Sequence, residues 1–167
     1  MAKSSKSKIR YAVVGLGNIA QVAVLPAFEH ARENSELVAL LSSDPKKLSV
    51  LSERYSVKIT GPYEDLDRIL ASGEVDAIYV ATPNSKHRIA VESAARAGVH
   101  VLCEKPLART VEDCRRMLWA AADAKIKLMT AYRLHFEQAN LRAIQRLIEG
   151  EIGEPRIFSS VFSQQVR

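Results

Sequence analysis

Apolar runs of strand length alternate along the chain with amphipathic runs of helix length. "IRYAVVG" (residues 9–15) is rich in β-formers, and its adjacent Val13 and Val14 predict a strand buried on both faces. Helical spacing follows from Ile19 to about Arg32. "ELVALLS" (36–42) predicts a second buried strand. Asp44 and Pro45 then form a helix-start signature, an N-cap with proline at the first helical position, and that helix extends to about Tyr55. "VKIT" (57–60) predicts a short strand, and "GPYEDLDRILASG" a turn, a short helix and a glycine stop. "DAIYVAT" (76–82) is the next strong strand, followed by a helix from about Ser85 that turns Ile89 and Ala94 inward and ends at Gly98. "HVLCEK" (100–105) is another strand. Thr110 and Asp113 resemble a capping box opening a helix that buries Val111, Cys114, Leu118 and Ala121. "KLMTAY" (127–132) closes the series. A long helix follows, with Leu141, Ile144, Leu147 and Ile148 on one face and Gly150 beyond its end, and "PRIFSSVFSQQV" (155–166) reads as a strand.

Strands alternating with helices specify a parallel sheet with right-handed crossovers, so the expected fold is an α/β doubly wound domain. Six strands complete that series; the last helix and strand belong to something further. The expected organisation is a basic tail over residues 1–8, a dinucleotide-binding domain over 9–134, and a connecting helix and first strand of a second, α+β domain over 135–167.

Composition changes this picture little. The 167 residues suffice for one domain with a proper core, and 47% hydrophobic with 26% charged residues is ordinary for a globular protein. The net charge of +5 owes much to "MAKSSKSKIR", where four Lys/Arg face no acid. That cluster reads as a solvated terminus rather than a nucleic-acid arm, because no aromatics accompany it. No apolar run approaches the ~20 residues of a membrane span, and no apolar stretch of signal-peptide type follows the basic residues. Cys103 and Cys114 make neither a disulfide framework nor a metal cluster and read as small core residues. The cytoplasm is the expected compartment.

Chemistry concentrates at the predicted strand ends, where open α/β sheets bind ligands. "VVGLGNIA" places Gly15, Gly17 and Ala20 in the G-x-G-x-x-G/A pattern, after the first strand and at the head of a helix. Gly15 permits the tight turn, Gly17 lets a pyrophosphate approach the backbone, and Ala20 lets helix and strand pack closely. Ser42 and Ser43 follow the second strand; Thr82, Pro83 and Asn84 follow the fourth, with His87 one turn on. Glu104, Lys105 and Pro106 follow the fifth, and Tyr132 and Arg133 the sixth. Out of context each has a plain structural reading: turn serines, a helix-end histidine, a solvated Glu–Lys ion pair. At the mouth of a cofactor cleft, Lys105 becomes an electrostatic anchor or proton-relay group.

In order and spacing, "VVGLGNIA", "VATPNSKH", "VLCEKPLA" and "AYRLHFEQANLRAIQRLIEGEIGEP" resemble the Gfo/Idh/MocA oxidoreductases, and the last segment is most similar to the glucose–fructose oxidoreductase branch. The resemblance runs from Ile9 to the C-terminus, and "EKP" is its most specific element. It implies an NAD(P)-dependent enzyme moving hydride between nicotinamide and a sugar or polyol. It also implies a Rossmann domain followed by a largely antiparallel second domain, and homo-oligomers of the full-length protein. By position, Gly15, Leu16, Gly17, Asn18, Ile19 and Ala20 hold the pyrophosphate, and Thr82, Pro83, Asn84 and His87 line the path to the nicotinamide ribose. Glu104 and Lys105 stand beside the nicotinamide, Lys105 is the catalytic residue, the Lys105–Pro106 bond is cis, and Arg133 approaches the cofactor. In this family the second domain supplies the acid/base, so the expectation is an N-terminal cofactor-binding fragment inactive by itself.

The end of the second strand selects the cofactor. An NAD enzyme usually places Asp or Glu there to bind the ribose 2′-hydroxyl. Here Ser42 and Ser43 stand in its place, Asp44 is engaged as an N-cap, and Lys46 and Lys47 follow. Hydroxyls and cations suit a 2′-phosphate, with Lys47 the best match, so NADP is expected over NAD. No metal, nucleic-acid or membrane partner is expected. A second reading of different class is a non-catalytic NADP(H)-binding module that senses cofactor or serves as an interaction subunit.

Overall fold

The computed structural model describes residues 8–161 and 163, so residues 1–7 of the tail expected over 1–8, and positions 162 and 164–167, lie outside it. The chain divides into two compact units between Ala131 and Tyr132.

In the first unit, strands β1 (Ile9–Val14), β2 (Ser35–Leu41), β3 (Ile59–Gly61), β4 (Ala77–Val80), β5 (His100–Cys103) and β6 (Leu128–Thr130) form one parallel sheet in the order 3-2-1-4-5-6. The crossover helices are α1 (Leu25–His30, continuing a π-helical stretch), α2 (Pro45–Tyr55), α3 (Leu66–Ala71), α4 (His87–Arg96) and α5 (Val111–Asp123). This is the Rossmann order, with its switch point between β1 and β4.

The strand sequences are apolar throughout because both faces are covered. Along β1, Ala12 and Val14 join one core cluster with α3, α4 and α5 residues, and Val13 joins the other with Leu25 of α1 and Leu51 of α2. β4 alternates likewise, with Ile78 and Val80 on the first side and Tyr79 on the second. The period of two in side-chain direction thus distributes a continuous apolar run between two cores.

Several elements depart from the sequence expectation. The first helix contains a π-helical stretch, Ala20–Val24, closed by Leu25 N–H donating to Ala20 O. A proline ring at position 26 would strike the carbonyl of Val22 in a straight α-helix, and the wider turn just ahead of it relieves that clash. α4 buries His87, Ala90, Val91, Ala94 and Ala95, and Ile89 is 59% exposed. Ile89 lies about 200° around the helix from Val91 at roughly 100° per residue, so small residues rather than the largest apolar one face the sheet. In α5 the buried residues are Met117 and Ala121; Val111 and Leu118 are exposed and Cys114 is half-buried. A face built largely of alanines lets helix and sheet approach closely, and periodicity favouring larger residues misplaces it.

The second unit contains a 3₁₀ turn (Arg133–Phe136) and helix α6 (Gln138–Ile148). Its Leu141, Ile144, Leu147 and Ile148 share one face, as the spacing predicts. The strand expected over 155–166 does not form among its described residues, and Ile157, Phe158 and Val161 are exposed. A strand exists only by pairing its backbone with a neighbour, and no partner strand is present among the described residues of this unit.

Candidate functional site at the strand ends

Register pairing aligns the carboxyl ends of all six strands. Gly61 pairs Leu41, Leu41 pairs Val14, Val14 pairs Val80, Val80 pairs Cys103, and Cys103 pairs Thr130. One residue beyond that row lie Ser42, Gly15 and Glu104, and just past β4 come Ala81 and Thr82. Three strand steps separate Ser42 from Glu104, roughly 14 Å at about 4.8 Å per step. The first unit therefore brings most of the sequence-predicted residues to one edge.

At the switch point Gly15 has φ +102°, and a Cβ there would lie 2.6 Å from the carbonyl oxygen of Ala81. Glycine is obligatory at that position on protein contacts alone. Gly17 is different: a Cβ added there would find its nearest neighbour, the Ala81 oxygen, at 3.9 Å, leaving open space. The protein itself does not demand glycine at 17, whereas a ligand pressed against the backbone would. Leu16 is 2% exposed and Ala20 fully buried, so only their backbone can face a ligand; Gly17 and Asn18 are exposed and Ile19 is half-buried. The helix opening at Asn18 directs its first N–H groups, which lack intrahelical partners, towards this edge.

At the end of β2, Asp44 Oδ1 accepts from Lys46 N–H (3.0 Å) and Lys47 N–H (3.1 Å), the N-cap the sequence predicts. Ser42 is buried, and its Oγ accepts from Asp44 N–H at 3.1 Å, leaving its own O–H able to donate. Ser43 is exposed. Lys47 Nζ lies 3.7 Å from Asp44 Oδ2 in an exposed pair, a contact weak enough to exchange for another anion.

After β4, Thr82 is 8% exposed and its Oγ1 is, among the described residues, a buried side-chain oxygen without a partner. Such a group normally carries a cost of about 1–3 kcal/mol, which a polar ligand at this edge would relieve. Pro83 and Asn84 are exposed. His87 does not line the edge: it is fully buried, with Nε2 2.9 Å from Thr82 O and Nδ1 3.1 and 3.2 Å from the carbonyls of Pro106 and Leu107. A ring enclosed by three backbone carbonyls is not available to a ribose, and its part is structural.

After β5, Glu104 and Lys105 do not form the solvated ion pair that their adjacency allows. Glu104 is 6% exposed; its Oε1 accepts from Tyr79 O–H at 2.7 Å and its Oε2 from Lys105 N–H at 3.2 Å. The Lys105 side chain is exposed and forms no ion pair among the described residues. The Lys105–Pro106 peptide is cis. Burial, with Glu104 and Cys114 nearby, pushes the Cys103 thiol up to about 12, so it is an inert core residue. Arg133 belongs to the second unit and is exposed. Sequence reasoning missed Tyr79; a phenol inside the otherwise aliphatic "AIYV" was the available signal, since buried tyrosines hydrogen-bond. Among the described residues no three His, Cys, Asp or Glu side chains are grouped to hold a metal, and no helix is long and apolar enough to cross a membrane.

The model of an oxidoreductase family with an NAD-binding Rossmann fold matches residues 9–132. D-xylose 1-dehydrogenase [NADP(+)] of Haloarcula marismortui is 36% identical over 153 residues, covering 91% of this chain and 42% of the relative. The crystal structure of aldose-aldose oxidoreductase from Caulobacter crescentus, complexed with glycerol, is 44% identical with a TM-score of 0.82, over 86% of this chain and 43% of that one. The WlbA dehydrogenase of Bordetella pertussis, in complex with NADH and UDP-GlcNAcA, is 28% identical with a TM-score of 0.77, over 87% and 42%. The chain thus spans less than half the length of these relatives.

Proposed function

Since the chain belongs to the Gfo/Idh/MocA oxidoreductases, we propose that it is the cofactor domain of an NADP-dependent dehydrogenase acting on a CH–OH group of a sugar or polyol. The observation that carries this reading is the single row of strand ends. It sets the buried Ser42 hydroxyl and Lys47 at one end, the open Gly17 turn and unpartnered Thr82 Oγ1 in the middle, and the exposed Lys105 at the other. The residues present fit a dinucleotide, because a ligand there would supply the acceptor or donor Thr82 lacks and occupy the space beside Gly17.

When bound, a nicotinamide dinucleotide supplies or accepts the hydride. The chain's own residues bind and orient. The first N–H groups of the helical segment opening at Asn18 take a pyrophosphate. The Ser42 O–H, Ser43 and Lys47 take a 2′-phosphate, with no carboxylate at that strand end free to favour the bare ribose. Glu104, held by Tyr79, keeps its carboxylate fixed beside the lysine loop. Lys105 presents an ammonium to the substrate oxygen. It polarises a carbonyl during reduction and stabilises the alkoxide that develops during oxidation. The xylose and aldose relatives support a sugar as substrate.

Fluorescence titration with NADPH and NADH tests the cofactor half. Saturable binding with NADPH at least about tenfold tighter is expected; equal or tighter NADH binding refutes the selector, and no saturable signal refutes the site. In the parent protein, Lys105→Ala should lower turnover with a sugar by about 10²-fold or more and leave NADPH affinity within about twofold. Undiminished turnover refutes the role of Lys105.

A further inference from the structure

The segment that carries Lys105 runs from the end of β5 at Cys103 to the start of α5 at Val111 and contains no regular structure. It is nevertheless tied at three places. At its start, Glu104 accepts from Tyr79 O–H. In its middle, the carbonyls of Pro106 and Leu107 face Nδ1 of the buried His87, while Nε2 of the same ring faces the carbonyl of Thr82. At its far end, Asp113 N–H donates to the Thr110 hydroxyl, which donates in turn to Asp113 Oδ2 at 2.9 Å. The other oxygen of that carboxylate takes Arg88 Nε at 2.8 Å, and Arg88 Nη1 is steadied by Glu92 at 2.9 and 3.1 Å.

Two of the three ties originate from consecutive residues, His87 and Arg88, in the first turn of α4. The buried imidazole lies between two loops, facing the carbonyl of Thr82 in one and the carbonyls of Pro106 and Leu107 in the other, which bears Lys105. We propose that His87 and Arg88 are positioning residues that clamp the lysine loop to the end of β4, fixing the distance between the cofactor-facing threonine and the lysine. This rests on the reading of Lys105 given above. A loop held on its backbone side leaves only the Lys105 side chain to adapt to substrate, and a reacting group displaced by about 1 Å can lose 10²-fold in rate.

The test separates the clamp from the chemistry by reading the loop without substrate. In His87→Asn the amide occupies the place of Nδ1 and can donate to the Pro106 and Leu107 carbonyls; in His87→Gln it reaches the place of Nε2 and serves Thr82 alone. Amide hydrogen exchange on the full chain, read by NMR, should accelerate at Leu107 and Ala108 by about tenfold or more in His87→Gln, and stay within about threefold of the parent in His87→Asn. Arg88→Gln, on a partly exposed side chain, should instead accelerate exchange at Thr110 and Asp113 while leaving Leu107 unchanged. Equal acceleration in both His87 variants, acceleration spread evenly through α4 and β4, or an unchanged loop in Arg88→Gln overturns the proposal. Should Lys105→Ala prove fully active, the exchange result would still stand or fall by itself.

Discussion

The two edges of one parallel sheet are built in opposite ways. At the amino-terminal edge, Arg10 and Asp76 satisfy most of their polar groups on each other, with Glu74 beside Arg10 Nη1 and His100 N–H donating to Asp76 O. The guanidinium grips the carboxylate through Nε (2.9 Å) and Nη2 (2.7 Å), Arg10 N–H donates to the same carboxylate, and Asp76 N–H returns a bond to Arg10 O. The Arg10 hydrogen bond holds the Asp76 carboxyl below the usual carboxylate range. At the carboxyl-terminal edge, among the described residues, Thr82 Oγ1 has no partner, Gly17 borders open space, and Lys105 forms no ion pair. Both edges belong to the same strands, and hydrophobic burial between them is continuous. The difference is that one edge satisfies itself and the other leaves its polar groups for a ligand. Parallel strands make this asymmetry natural, since helix N-termini gather at the carboxyl ends only.

Substitutions at the two edges should therefore separate stability from binding. The largest effect is expected for Gly15→Ala, where positive φ and the approach to the Ala81 carbonyl both forbid a methyl group. Urea unfolding should show a loss of about 3 kcal/mol or more, with NADPH binding lost as well. Gly17→Ala is the contrasting case: stability should stay within about 0.5 kcal/mol, while calorimetric NADPH affinity falls by about tenfold or more. If both glycines tolerate alanine equally, the turn is not a phosphate cradle. Next comes Asp76→Asn, expected to cost about 1 kcal/mol without changing NADPH affinity. Because the folded-state carboxyl is lowered, its contribution is present above the ordinary carboxylate value near 4 and fades as pH falls through the lower folded value. The difference between parent and Asp76→Asn should accordingly shrink below about pH 4; a difference constant with pH would contradict the ion pair. The smallest effect is expected for Thr82→Val, which removes the orphan hydroxyl. Thermal stability without cofactor should hold or rise slightly, and NADPH affinity should fall a few-fold; unchanged affinity would mean that Thr82 does not meet the ligand.

Much of this was legible in the residues themselves. The alternation of strands and helices, the glycine turn after β1, and the Asp44–Pro45 helix start depend on neighbours within a few positions, where backbone sterics and capping decide the outcome. On α4, Ala94 is buried as expected but Ile89 was misplaced, because a period of 3.6 admits several faces and a large apolar residue outweighs the alanines that fit against the sheet. The part played by His87 was misread for a similar reason: nothing near it in the chain reveals that the carbonyls of Pro106 and Leu107 meet its ring. Tyr79 and Glu104, which are 25 positions apart, give the same lesson.

The sequence by itself determined the class of the fold, the residues at each strand end and the family that they mark, because local chemistry and spacing specify those. Only the tertiary structure decided which of these residues face a ligand and which are consumed in holding the edge together. Hydrogen-bond partners are chosen by proximity in space, and β4, β5 and the loop beyond them become neighbours only when the sheet is formed.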